Sequence, residues 1–332
     1  MVVKMGGKPA LLLGGLLVLG LLPIAFQDNP RILNILSLSL VWGVVVSAWD
    51  LSIGYARVWS FGHIAFFTIG AYTTALTIVH LGIPPGAGIL LGGVVTAIVG
   101  ILIGLLCLRL TGVYVALVTF GLHIVLPILI SWRRDYTGGD PGLAGFPPLQ
   151  LGQYIFSSSA PFSSYYIILG ISILLLFIIY RVINSPIGLA FVALRDSDGF
   201  ARSLGVNEYR YKLIVFGISA FITGLMGAVY ASFYNGINPR VLRIPTFLLA
   251  LIMIMLGGLG RFPGAVIGAF VITFASEFLR PLAHWRFVAL GAIVVAVMVF
   301  MPQGLMAIPE RVRPFIRRTF GRRHVEKEVP KV

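Results

Sequence analysis

Long apolar runs separated by short connections rich in Gly, Pro or charge dominate the chain. Each run approaches the roughly 20 residues that an α-helix needs to cross the hydrocarbon core of a bilayer. Two of the last three runs, 245–259 and 286–301, are short, and either one could be a tilted, broken or re-entrant segment. The pattern predicts an all-α, polytopic integral membrane protein with about ten transmembrane or re-entrant helices, at 9–26, 31–49, 61–81, 87–108, 113–131, 165–183, 212–234, 245–259, 263–279 and 286–301.

Composition agrees with a membrane protein and excludes a water-soluble fold. The 332 residues are 58% hydrophobic and 11% charged, whereas soluble domains carry about 25% charged residues. The single cysteine, Cys107, lies in an apolar run, so the chain has no disulfide framework and no paired-cysteine metal motif. The net charge of +14 is expected to face anionic membrane lipid, and nucleic acid is not an expected partner.

The distribution of cations predicts the orientation. With both termini in the cytoplasm (N-in and C-in), most of the 25 Lys and Arg residues lie inside. Residues 1–310 then form the transmembrane domain, and 311–332 form a basic cytoplasmic tail that either contacts headgroups or only anchors the topology. The charged stretch 184–212 becomes a cytoplasmic loop and 132–164 an external loop, whose Gly- and Pro-rich centre predicts a structured lid or docking surface.

Ionisable residues at membrane depth are hypotheses for function. Asp50 and Arg57 either pair near the interface or take part in transport. His63 is expected to bond a backbone carbonyl rather than a metal, and Glu277 with Arg280 one turn later is expected to form an interfacial pair. The chain has no P-loop motif and no Ser/His/Asp, HExxH or CxxC constellation, so it is not expected to be an enzyme.

The cytoplasmic stretch carries strong local helix signals. Pro186, with Asn184 or Ser185 before it as cap, predicts a short helix through about Arg195. One of residues 196–198 can cap a second helix that ends at Gly205, and Asn207 can cap the next span. One apolar face is predicted for this hairpin, which can lie on the membrane or dock into another protein; its residues are Leu189, Phe191, Val192, Leu194, Phe200 and Leu204.

This stretch resembles the coupling loop and following helix of the permease subunits of branched-chain amino acid ABC transporters. The likeness covers most of residues 42–312 in the family's order. It rests on the blocks WDLSIGYARVWSFGHIAFFTIGAYTTAL, TGVYVALVTFG, TGGDPGLAGFPPL, SPIGLAFVALRDSDGFARSLGVNEYRYKLIVFGISAFITGLMGAVYA, GGLGRFPGAVIGA and MPQGLMAIPERV.

The resemblance implies a complex at the cell membrane: a homologous second permease subunit, two ATP-binding cassette subunits and an extracytoplasmic substrate-binding protein. No cofactor is expected on this chain, because ATP and Mg²⁺ would bind to the partner subunits. The pathway would run between the two permeases, and the hairpin would transmit the movement of the ATPases.

Three sets of site residues follow from the resemblance. The coupling residues would be Arg195, Asp196, Asp198, Arg202 and Gly205. The pathway candidates are His63, Thr68, Thr119 and Asn235. The binding protein would dock on the outer loop around Thr137, Gly138, Gly139 and Asp140. The sequence departs from the family's pattern at Gly199 and Phe200, which leaves the cleft contacts open, and a basic loop that only sets topology is the alternative.

The substrate class also stays open at this level. Relatives in the same transporter class import urea or short amides, and other small amino acids fit as well. A more distant alternative is an ion-coupled secondary transporter, which predicts buried carboxylates and inverted repeats. The chain offers only Asp50 and Glu277 near the membrane, and a faint parallel echo between GYARVWSFGHIAF and GGLGRFPGAVIGAF.

Overall fold

A computed structural model describes residues 8–107, 110, 112–151, 154–282, 285–300 and 304–307. The predicted basic tail at 311–332 lies outside this range. Thirteen α-helices are present in the described part: α1 (Lys8–Ala25), α2 (Pro30–Asp50), α3 (His63–Leu81), α4 (Pro85–Cys107), α5 (Val113–Trp132), α6 (Arg134–Thr137), α7 (Pro161–Ile183), α8 (Pro186–Asp196), α9 (Asp198–Ser203), α10 (Glu208–Tyr234), α11 (Ile244–Gly257), α12 (Gly264–Phe278) and α13 (Trp285–Phe300).

All ten predicted apolar segments are helical, which bears out the all-α fold class. Six of the described helices are long and apolar enough to cross a membrane, namely α2 with its extension, α3, α4, α5, α7 and α10. Helices α11 and α12 have 14 and 15 residues, or about 21 Å at 1.5 Å per residue, which is less than the roughly 30 Å of hydrocarbon. The shortness of α11 was predicted and that of α12 was not. The number of crossings and the N-in, C-in orientation stay predictions.

Helices α3, α4 and α10 form the most closely packed part of the bundle, and glycines set their separation. A Cβ at Gly70 would overlap the carbonyl of Gly224, and a Cβ at Gly227 would overlap the carbonyl of Phe67. Gly100 of α4 sits against Ala220 in the same way. Small residues therefore let three apolar helices approach backbone to backbone, as membrane helices commonly do.

Helix α2 joins this unit to α7, α11 and α12, and it is buried along most of its length. Its C-terminal end continues as a π-helix, Leu51–Tyr55, before the chain runs irregularly to α3. Phe247 of α11 lies at the centre of an aromatic cluster, with ring centroids 5.6 Å from Trp49, 5.6 Å from Phe61 and 5.4 Å from His123. The two short helices are thus fixed to the middle of the bundle.

Apolar side chains remain exposed along the outer faces of α4, α5 and α7. Leu106, Leu117 and Ile128 are examples, each more than 60% exposed. Such bands are expected where lipid or a second membrane subunit replaces water as the surroundings.

The end of the bundle opposite α8 and α9 is closed by short β pairs. Strand β1 (Leu143–Ala144) pairs antiparallel with β4 (Gly236–Ile237), and β2 (Leu149–Leu151) pairs with β3 (Tyr154–Phe156). The predicted external loop is therefore folded onto the segment that follows α10. A 3₁₀ turn at Pro239–Leu242 leads from there into α11.

Candidate functional site

The predicted hairpin is present, with the predicted caps. Ser185 accepts a hydrogen bond from the Gly188 N–H at 3.4 Å and begins α8, and Ser197 accepts from the Phe200 N–H at 3.4 Å and begins α9. Gly205 has φ +82°, a left-handed value that favours glycine. Asn207 accepts from the Arg210 N–H at 3.1 Å and begins α10. The sequence therefore determines the outline of this hairpin through local hydrogen bonds.

The single apolar face predicted for the hairpin is wrong. Phe191 and Leu194 are buried against the transmembrane bundle, and Val192 is half-buried. Leu189, Phe200 and Leu204 are 60%, 66% and 66% exposed. The prediction failed because α8 already uses its inward side to pack on the bundle, while α9 is a separate six-residue helix that carries Phe200 outward.

Arg195 points from the hairpin into the bundle. Its NH1 group donates to the carbonyl of Gly54 at 3.3 Å, and its Nε donates to Asp196 at 3.0 Å. Arg57, which has a left-handed φ of +53°, donates from NH1 to the carbonyl of Arg195 at 3.2 Å. The last turn of α8 is thus bonded to the chain that continues α2.

Arg202, another predicted coupling residue, is held within the hairpin. Its NH2 group lies 3.1 Å from one carboxylate oxygen of Glu208, and Lys212 Nζ lies 2.5 Å from the other. Glu208 is largely buried, and its contact with Arg202 ties α9 to the first turn of α10. Asp196, Asp198 and Gly205 are exposed, and Asp198 lines a small pocket together with Arg57 and Lys212.

Arg195 reaches a junction, defined here as Asp50, Gly54, Tyr55, Gly260 and Phe262. The Asp50 carboxylate is buried and accepts the Gly260 N–H at 2.9 and 3.2 Å. The Tyr55 hydroxyl accepts the Phe262 N–H at 2.9 Å. The junction therefore joins the end of α2 to the turn between α11 and α12.

A side chain at Gly54 is excluded by this junction. An added Cβ would overlap the Asp50 carboxylate and the backbone of Gly260. Gly260 has φ +65°, and a Cβ there would lie 3.3 Å from Arg195 NH1.

The contacts of the junction were not predicted from the sequence, which suggested that Asp50 pairs with Arg57. In the structure Asp50 accepts a hydrogen bond from Gly260, and Arg57 donates one to Arg195. The only sequence signal was the faint echo between the two segments, which the fold brings into contact.

The four pathway candidates are not brought together around one open space. His63, Thr68 and Thr119 are fully buried. Thr68 and Thr119 donate to carbonyls of their own helices, and Thr119 also accepts the Phe61 N–H at 2.8 Å. Asn235 ends α10 in a left-handed conformation and donates to the carbonyl of Phe146. Their part in a pathway stays a prediction.

His63 lies beside the backbone of Ser60 and the side chain of Ser52. One ring nitrogen is 3.5 Å from the Ser52 hydroxyl, and the ring stacks on Trp49 with centroids 5.4 Å apart. Glu277 does form the expected pair with Arg280 at 3.1 Å, and it also pairs with Arg31 at 3.0 Å.

The four predicted docking residues lie together on a folded turn. Thr137 ends α6 and donates to the carbonyl of Ile130 at 2.6 Å, and the Gly139 N–H donates to the Thr137 hydroxyl at 3.2 Å. Gly138 and Gly139 both have positive φ. Asp140 is exposed and accepts a short hydrogen bond from Ser131. The turn chemistry predicted for this loop is confirmed; its docking role stays a prediction.

Comparison with known proteins identifies the family. The model of the "Branched-chain amino acid transport system / permease component" family matches residues 31–302. The chain is 28% identical to the high-affinity branched-chain amino acid transport system permease protein LivM of Escherichia coli strain K12, over 90% of this chain and 75% of LivM. It is 26% identical to LivH of the same strain, over 84% of this chain and 96% of LivH.

A more distant similarity links the chain to a sugar permease. It is 24% identical to the ribose import permease protein RbsC of Haemophilus influenzae, over 59% of this chain and 64% of RbsC. No solved structure matches. The matched residues include the hairpin, the junction and the outer loop, and the chain belongs to the permease family of branched-chain amino acid transport systems, as a multi-pass protein of the cell membrane.

Proposed function

We propose that this chain is one membrane-spanning subunit of an ATP-driven importer for branched-chain amino acids. It would work with a homologous second permease, two ATP-binding cassette subunits that carry ATP and Mg²⁺, and an extracytoplasmic binding protein. The names of the similar proteins LivM and LivH support the substrate class. Urea, short amides and other small amino acids are the alternative substrates.

The bonds between the hairpin and the junction carry this proposal. A loop that only set topology would need exposed cations and no particular contacts. Arg195 instead bonds the carbonyl of Gly54, beside the Asp50–Gly260 hydrogen bond. A displacement of α8 is therefore expected to move the end of α2 and the turn that joins α11 to α12.

The outward side of the hairpin supplies a surface for the ATPases. Phe200 and Leu204 are each 66% exposed, and Asp196 and Asp198, shortly before Phe200 in the sequence, are exposed as well. Apolar side chains within a charged rim are typical of protein–protein contacts. In this proposal Phe200, where the sequence departs from the family's pattern, is the apolar anchor, while Arg195 and Arg202 keep the hairpin in place.

The outer loop is proposed to receive the binding protein. Thr137, Gly138, Gly139 and Asp140 form a turn held by side-chain hydrogen bonds, and Trp132 and Tyr136 beside it are 73% and 60% exposed. A fixed turn flanked by exposed aromatic rings presents a preorganised docking surface.

Uptake by the complete complex in proteoliposomes tests the proposal. With binding protein outside and ATP inside, radiolabelled leucine should accumulate, and omitting ATP or the ATPase subunits should abolish accumulation. Uptake driven by an ion gradient with no ATPase present would overturn the proposal. Competition by unlabelled valine, urea and acetamide distinguishes the alternative substrates, because only the transported class should compete.

A further inference from the structure

A second feature of the chain is a cavity of about 560 Å³ at the end of the bundle opposite the hairpin. Helices α2, α10, α11 and α12 form its walls, together with segments 141–144 and 236–241. Its volume falls within the roughly 300–1,000 Å³ of small-molecule sites. The resemblance implies a pathway between two permeases, and none of the four pathway candidates lines this cavity.

The most buried part of the cavity lining, called its floor here, is mainly apolar. Trp42, Ala250 and Met253 line it and are all buried. Thr273, also on the wall, is only 6% exposed, and its hydroxyl has no hydrogen-bond partner among the described residues. A buried hydroxyl without a partner is unfavourable by about 1–3 kcal/mol, so a small movement of the wall that brings this hydroxyl against a polar group of a ligand would be favourable.

Charged groups of both signs surround the mouth. Glu277 lines the cavity, and Arg31 and Arg280 both contact its Oε1, at 3.0 and 3.1 Å. Within the described part of the chain, Oε2 has no hydrogen-bond partner. Arg240 also lines the cavity and is exposed. The Arg240 guanidinium on the lining can donate to a ligand carboxylate, Arg31 and Arg280 add positive charge beside it, and the Glu277 carboxylate can accept from an ammonium group.

The geometry points to a binding site inside this chain for a small zwitterion with an aliphatic side chain. The charged head would lie at the mouth, near Glu277, Arg240 and the Thr273 hydroxyl, and the aliphatic group would pack toward Trp42 and Met253. The choice of leucine as probe rests on the proposed function; the site itself rests on the cavity.

The walls of the cavity lead directly to the junction. Helix α11 carries Met253 on the floor and ends at Gly257, and α12 begins at Gly264 and carries Thr273 and Glu277. The turn between these helices bears Gly260, the partner of Asp50. A ligand that spreads or closes α11 and α12 therefore acts on the same turn as Arg195, from the other end of the bundle.

Cysteine protection tests this site. Thr273→Cys and, as a second probe of the same wall, Ser276→Cys are made in the full chain in lipid nanodiscs, without ATPase or partner permease. The one native cysteine, Cys107, is buried. Ile267→Cys, on α12 at a residue 39% exposed and away from the cavity lining, is the matched control. The rate of modification by a small charged methanethiosulfonate is measured with leucine, with 4-methylpentanoate, which lacks the ammonium, and with 3-methylbutylamine, which lacks the carboxylate.

Leucine at about ten times its dissociation constant should slow modification at 273 and 276 about tenfold, because only the empty site reacts. The two truncated analogues should protect much less, and position 267 should not respond. Absence of protection by leucine, equal protection by all three compounds, or equal protection at 267 would each overturn the site. Because neither ATP nor a second permease is present, these results are independent of whether the complex proves to be an ATP-driven importer.

Discussion

Gly54→Ala is expected to break the junction. An ideal Cβ at Gly54 lies 2.8 Å from the Cα of Gly260, about 1 Å closer than two carbon atoms pack at van der Waals contact, which is about 3.5–4.0 Å. The turn must therefore move away by about that amount. A shift of about 1 Å lengthens the Asp50–Gly260 hydrogen bond from 2.9 Å beyond the range of hydrogen bonds.

The free-energy cost of Gly54→Ala depends on the hydrogen bond between Asp50 and Gly260 that it breaks. A hydrogen bond to a charged group contributes about 1.5–3 kcal/mol, and its loss leaves a carboxylate in a buried site without that donor. Each 1.4 kcal/mol changes an equilibrium constant about tenfold. If the junction transmits hairpin movement, leucine uptake by the reconstituted complex should fall about 10- to 100-fold.

Gly170→Ala is the matched control, because it adds the same methyl group to helix α7 at a position with no atom within 4 Å. Its uptake should equal that of the wild type, and its thermal unfolding temperature should be unchanged or raised. Both variants are assayed for uptake in proteoliposomes and for assembly by native gel electrophoresis. Equal uptake by Gly54→Ala and Gly170→Ala, with both complexes assembled, would refute the role of the junction.

Three further outcomes follow from the hairpin. Phe200→Ser should weaken binding of the ATPase subunits, measured by co-purification, whereas Ser203→Ala, on the same helix, should not; equal recovery would contradict the anchor role. Gly205→Pro should disturb the hairpin, because proline cannot adopt the φ of +82° found there, and ATP hydrolysis should continue with little uptake. Glu208→Gln should speed proteolysis of 197–207, because the contacts to Arg202 and Lys212 are weakened; an unchanged cleavage rate would contradict the bracing role of Glu208.

Features set by near neighbours in sequence could be predicted. The caps Ser185, Ser197 and Asn207 and the left-handed Gly205 depend on residues close by in sequence. Asn207 and Gly205 were predicted outright, and Ser185 and Ser197 were each among the two or three candidates at their positions. The positions of the long helices could also be predicted, because each one depends on a continuous apolar run in the sequence. Propensity and capping act locally, so a single sequence contains them.

The junction could not be predicted, because it joins residues far apart in the chain. Asp50 and Gly260 are separated by 210 positions, and nothing near Asp50 indicates that its partner is a backbone N–H. The nearest cation, Arg57, was the natural candidate, but its positive φ directs it to Arg195.

The coupling role of Arg195 is tested most directly by measuring ATP hydrolysis and leucine uptake on the same proteoliposomes. Arg195→Glu places a carboxylate against the carbonyl of Gly54 and near Asp50, so the hairpin should separate from the junction while its outer face still binds the ATPases. Arg210→Glu makes the same charge change at an exposed residue one turn beyond the Asn207 cap. Hydrolysis should persist in both variants, and uptake per ATP should collapse only in Arg195→Glu. Equal uptake per ATP in the two variants would contradict the account.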